Sequence, residues 1–173
     1  MSENLELKEY MKEDAFAFDN LSKQICQKEN SEDYKQLLTD CKKFESSVVL
    51  FSIVPTFYVM KTILYFKLND YENANKYINA SLKYLLYIAK NGSIQSEKEQ
   101  ENFEEYKENV LNQYKILTQD KPEYLNAKRV ALPFTAKFIT CNDDNIIQEE
   151  QNLRLIMRKN NINRKTALNQ VNG

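Results

Sequence analysis

Apolar residues recur every three or four positions along most of this chain, with charges between them, and that spacing predicts a succession of amphipathic helices. Leu7, Met11, Phe18, Leu21 and Ile25 mark the first, from Glu3 to about Gln27. Asn30-Ser31-Glu32-Asp33 resets the chain, with Ser31 as N-cap and acids in the first turn. A second helix carries Tyr34, Leu38, Cys41, Phe44 and Val48 toward Val54. Pro55 ends it and opens a third, because proline suits a first helical turn and breaks an interior one. That third helix runs to about Leu68, and a fourth, Tyr71 to Lys90, carries Ala74, Ile78, Leu82, Leu85 and Ala89 on one side before stopping at Asn91-Gly92. Ser93 to about Glu101 is polar enough to fray ahead of a fifth helix with Phe103, Tyr106, Val110, Tyr114 and Leu117. Asp120 and Pro122 open a sixth, with Tyr124, Ala127 and Ala131, which Pro133 bends or ends. Asp143 to Arg158 is the seventh, with Ile146, Ile147, Leu153, Ile156 and Met157.

Composition agrees with the helices and narrows the chemistry. Only two glycines and three prolines punctuate 173 residues, too few for the turns of a sheet protein of this length. There is no histidine, so imidazole bases, His metal ligands and Ser-His or Cys-His pairs are excluded, and no glycine-rich loop can cradle a phosphate. Cys26, Cys41 and Cys141 are an odd number and too widely spaced for a CxxC motif, which reads as reduced thiols. The opening MSENLELKEYMKEDA is acidic where a secretory leader would be basic and then apolar, so an intracellular, cytoplasmic chain without a cleaved signal peptide is expected.

Net charge is −1, yet the charges are segregated: residues 1–40 hold ten acids and five lysines, whereas five bases and no acid follow Glu150. Arg154, Arg158, Lys159, Arg164 and Lys165 are therefore candidate contacts for an acidic partner surface. With no aromatic after Phe138 to stack on bases, a protein partner is preferred to nucleic acid. The last residues, NNINRKTALNQVNG, hold few apolar positions and are expected to form a flexible or partner-ordered basic tail over 159–173, beyond one helical domain at 1–158. Glu97, Glu101, Glu104, Glu105 and Glu108 form an acidic ridge that reads as a solvated helix face near its N-terminus.

The stretch TFYVMKTILYFKLNDYENANKYINASLKY, residues 56–84, resembles one tetratricopeptide repeat. Tyr58 and Tyr65 stand at the first-helix aromatic positions, KLNDYENA with Tyr71 and Ala74 matches the inter-helix segment, and Ile78 and Ser81-Leu82 match the second helix. Thr62 replaces the small close-contact residue, and Leu86 the terminating proline. Tyr34, Leu37 and Cys41 echo the pattern 37 residues upstream, and Tyr124, Ala127 and Ala131 echo it 53 residues downstream. The resemblance implies an all-α fold of antiparallel helical hairpins stacked in a tetratricopeptide-like array, about seven helices in all. It also implies a non-enzymatic protein–protein interaction module, a small adaptor or subunit of a larger assembly, with no catalytic residues, metal or cofactor. First helices would then line a concave face near Val59, Met60, Ile63 and Lys67. Such an apolar groove takes an amphipathic helix of another protein, or the chain's own C-terminal helix.

Val48 to Phe66 raises an alternative. Fourteen of its 19 residues are apolar or aromatic and Lys61 is its one charge, which meets the length of a membrane span. On that reading the chain is a membrane-anchored subunit of a complex, with residues 48–66 in contact with lipid. Pro55 would break the backbone ladder inside lipid, and Lys61 would cost about 2.5 to 3.5 kcal/mol there. A buried hairpin that hands over at Pro55 accounts for both residues.

Overall fold

Residues 2–91, 96–120 and 132–173 are described by the computed structural model. Among them lie eight α-helices and no strand: α1 (Ser2–Gln27), α2 (Ser31–Ser47), α3 (Val54–Lys67), α4 (Tyr71–Asn91), α5 (Glu97–Asp120), α6 (Phe134–Ile139), α7 (Asp144–Asn160) and α8 (Arg164–Asn172).

The α1 to α4 frame follows the periodicity closely, with local shifts. Asn30, not Ser31, caps α2: its Oδ1 accepts the Asp33 amide at 2.9 Å while its Nδ2 donates to the Asp33 carboxylate at 2.8 Å. The second helix stops at Ser47 rather than near Val54, and a short 3-10 turn, Phe51–Ile53, leads into α3, whose first turn holds Pro55. Two asparagines take the left-handed position that glycine usually fills. Asn69 (φ 59°) and Asn161 (φ 51°) end α3 and α7. The Asp70 amide reaches back to the Tyr65 carbonyl at 2.9 Å, and that of Ile162 to Met157 at 3.0 Å. A chain with two glycines thus still turns sharply.

α3 is the centre of the fold. It packs most extensively on α4 and also meets α1, α2, α5 and α6. Val54, Phe57, Tyr58, Thr62 and Leu64 are fully or almost fully buried, and Val59, Met60 and Tyr65 nearly so. A helix enclosed by neighbours can be apolar all round, which is why 48–66 reads as one unbroken hydrophobic run. Among the described residues no helix is long and apolar enough to cross a membrane. The α3–α4 crossing is close because Ala74, Ala80 and Ser81 are completely buried. Ser81 Oγ donates to the Pro55 carbonyl at 3.0 Å, and Tyr106 of α5 donates to the Ser81 carbonyl at 3.0 Å, tying a third helix to the pair.

The C-terminal third departs furthest from the periodicity. Pro133 is the N-cap of the six-residue α6, and α5 already begins at Glu97. The helix expected around Tyr124, Ala127 and Ala131 lies outside the described residues, as does Gly92. The stretch 159–173, expected as a flexible or partner-ordered tail, carries the end of α7 and then α8, capped by Asn163 Oδ1 on the Thr166 amide at 2.9 Å. Only Ala167 of α8 is buried, and the helix packs on α7. Its short apolar content leaves no periodic signal in the sequence; beside the buried Ala167, Arg164 ties it to Glu150 of α7.

Candidate functional site

The chain between α2 and the 3-10 turn makes a corner in which the amides of Val49 and Leu50 and the carbonyl of Val48 lie beyond the α2 hydrogen-bond ladder, and it is buried: Val48 and Val49 have no exposed surface. Buried backbone polar groups must find partners. Side chains from both ends of the sequence supply them. Asp14 of α1 accepts the amides of Val49 (2.8 Å) and Leu50 (3.1 Å) on one carboxylate oxygen. Arg154 of α7 donates to the carbonyls of Glu45 (2.7 Å) and Val48 (3.0 Å), placing a cation at the C-terminal end of α2 where the helix dipole favours it. Gln151 donates to the Val49 carbonyl at 3.1 Å.

The same residues are linked among themselves. Arg158 bridges the two ends, bonding Asp14 through one nitrogen and Glu13 through the other at 2.7 Å, with its guanidinium 4.7 Å from the Tyr10 ring. Lys159 meets Glu6 at 3.3 Å. Glu150, nearly buried, receives Arg154 at 2.9 Å and a two-pronged contact from Arg164 at 2.6 and 2.8 Å. Burial alone would raise the Glu150 carboxyl, but the hydrogen bonds from Arg164 and Arg154 outweigh it and hold its pKa below the usual carboxylate value. Arg164 is raised in turn, first by its hydrogen bond to Glu150.

Beside this clasp lies a second buried network. Lys61, with its side chain only 1% exposed, donates to Glu45 Oε2 and to the Tyr77 hydroxyl, each at 2.7 Å, while the Tyr58 hydroxyl donates to Glu45 Oε1 at 2.9 Å. The ammonium also sits 4.0 Å from the Tyr77 ring centroid. Burial pushes the Tyr58 and Tyr77 hydroxyls well above the ordinary phenol range, and the Glu45 carboxylate adds to this. Tyr77 further contacts the rings of Tyr58 at 5.1 Å and Tyr65 at 5.6 Å, so the polar centre is framed by aromatics.

The two networks meet at a cleft of about 1000 Å³ that lies between the body of the molecule and the α7–α8 segment. Its buried floor comprises Lys61, Tyr77 and Thr135 with half-buried Glu45; the rest of the lining includes Tyr10, Lys42 and Phe134 from α1, α2 and α6, and Met157, Arg158, Ile162 and Arg164 from the α7–α8 segment. Phe134 is 52% exposed despite its size, packed edge-on against Phe138 at 4.5 Å and beneath the Arg164 guanidinium at 5.0 Å.

The positions singled out in the sequence lie in different surroundings. Of the groove candidates, Val59 and Met60 are core residues, Ile63 is half-buried against the same core, and exposed Lys67 rests over the Tyr34 ring at 5.1 Å. None of the four borders the cleft. Of the basic candidates, Arg154, Arg158, Lys159 and Arg164 are engaged with carboxylates of this same chain, and Lys165 is exposed on α8. The five glutamates of the acidic ridge remain exposed along α5. Asp14, Glu45, Tyr77, Glu150 and Gln151 were missed. The available signal was the acid-first, basic-last charge order, whose partners are the two ends of one chain. No family model, curated protein or solved structure matches the sequence or the fold.

Proposed function

We propose that this chain is a non-enzymatic protein–protein interaction module built on tetratricopeptide-like hairpins, a small adaptor or a subunit of a larger assembly. It seats a segment of another protein in the cleft beside α7 and α8. The observation that carries this reading is the contrast between the cleft's floor and its mouth. At the floor, Glu45 is engaged by Lys61 and Tyr58, and Lys61 by Glu45 and Tyr77, so these groups act as rigid scaffold. At the mouth, Phe134 is 52% exposed and lines the cleft together with Met157 and Ile162, the kind of apolar anchor that protein interfaces use. The α3–α4 hairpin supports the repeat likeness, since Ala74 and Ser81 are completely buried at the crossing and Tyr58, Tyr65 and Tyr77 pack together beside it.

The test is affinity purification from the native cells with the wild-type chain and with Phe134→Ala. Phe134 is half-exposed, so the variant is expected to fold and to lose a defined set of co-purifying chains. Recovery of the same set at the same yield contradicts the cleft as the docking site.

A further inference from the structure

The cleft's hydrogen-bonding groups are unequally used, and this selects the chemistry of its occupant. Among the described residues five cations border it, Lys42, Lys61, Arg154, Arg158 and Arg164, against two carboxylates, Glu13 and Glu45. Glu45 is occupied on both oxygens and Glu13 is bound to Arg158. The cations are not all consumed. Exposed Lys42 makes no ion pair among the described residues. Arg164 spends one N–H of each terminal nitrogen on Glu150, and its side chain is 39% exposed, leaving donors of its five toward solvent. An entering cation would meet carboxylates that are already neutralised, whereas an entering carboxylate finds N–H donors of Lys42 and Arg164 that no carboxylate of the described residues takes up.

Resting on the protein-binding reading above, we infer that the segment seated in this cleft is acidic, with an Asp or Glu carboxylate between Lys42 and Arg164 and a neighbouring apolar side chain against Phe134, Met157 and Ile162. The apolar contact supplies burial, and the carboxylate supplies orientation and selectivity, because the wrong charge is repelled by the wall it faces. Arg164 then links the occupant to the fold, since the same guanidinium holds Glu150 and covers the Phe134 ring.

A phage library of random peptides, panned on the full chain and counter-panned on Lys42→Glu and on Phe134→Ala, tests this directly. Both variants lie at exposed positions, and their circular dichroism and melting are compared with wild type before panning. The expected result is enrichment of Asp or Glu next to an aromatic or aliphatic residue, with binding weakened at least tenfold by Lys42→Glu and by Phe134→Ala. Clones that need Phe134 but show no acidic bias, and bind Lys42→Glu as well as wild type, overturn the acidic occupant and leave the protein-binding reading intact. Clones indifferent to both variants overturn the cleft as a docking site altogether.

Discussion

Lys61 is the residue whose surroundings matter most. An ammonium this deeply enclosed is tolerated because Glu45 and Tyr77 each lie 2.7 Å away, and removing one partner of such a pair is far more costly than replacing the cation by an apolar side chain. Glu45→Ala is expected to lose about 3 to 5 kcal/mol of stability in urea unfolding, and Lys61→Met distinctly less. Equal losses would mean the pair is not buried as described. Cys41 gives a second residue-level test. Its thiol is fully buried and its pKa pushed up to about 12, first by desolvation, whereas Cys26 is exposed. Under native conditions a thiol reagent is expected to label Cys26 and spare Cys41 until denaturant is added. Native labelling of Cys41 at the rate of Cys26 would contradict the α2–α3 packing. The sequence announced Cys41 by its place in the apolar stripe. It announced Lys61 only as an anomaly in an apolar run, because Glu45 lies 16 residues away and no helical period links them.

At the scale of the element, legibility tracked apolar content. α1, α3, α4 and α7 carry enough regularly spaced hydrophobic residues to be placed from the sequence to within a few positions, whereas α2 is placed but ends at Ser47, well short of Val54. α6 has six residues, and α8 buries Ala167 alone. What holds α8 is Arg164 on Glu150, and what holds α7 is Arg154, Gln151 and Arg158 on the corner at 48–50 and on α1. The α7 contacts join positions more than 100 residues apart, and the α8 contact spans 14, so neither falls on a helical period that the local sequence would show. Truncation after Asn160, which a loose tail would tolerate, removes both Arg164 prongs and leaves a nearly buried Glu150 carboxylate with Arg154 alone. The truncated chain is expected to melt several degrees lower, consistent with the loss of about 1 to 3 kcal/mol for an under-satisfied buried charge. An unchanged melting temperature would show that α8 contributes nothing to the fold.

For the molecule as a whole, the segregated charge finds its use in closure. The acids of α1 and the bases of α7 meet across the α2–α3 corner, so a pattern that suggests an external partner in the linear sequence is spent largely inside the chain. The pH profile carries this signature at both ends. Glu150 has a folded pKa below its ordinary 4.5, so its contribution is complete above about pH 4.5 and lost as pH falls through that range toward the folded value. The phenols of Tyr58, Tyr65, Tyr77, Tyr84 and Tyr106 are all raised above 10 by burial, so stability holds below about pH 10 and declines as pH rises past it. Urea midpoints measured from pH 3 to 11 are expected to trace a plateau with both shoulders. A midpoint still flat at pH 11 would contradict the buried phenols.

The protein-binding role of the cleft is tested most directly by site-specific photocrosslinking in the native cells, with benzoylphenylalanine in place of Phe134 and, as control, in place of exposed Glu105 on α5. Discrete heavier species are expected from position 134 and none of these from 105. Silence at 134, or the same products from both positions, would contradict that role.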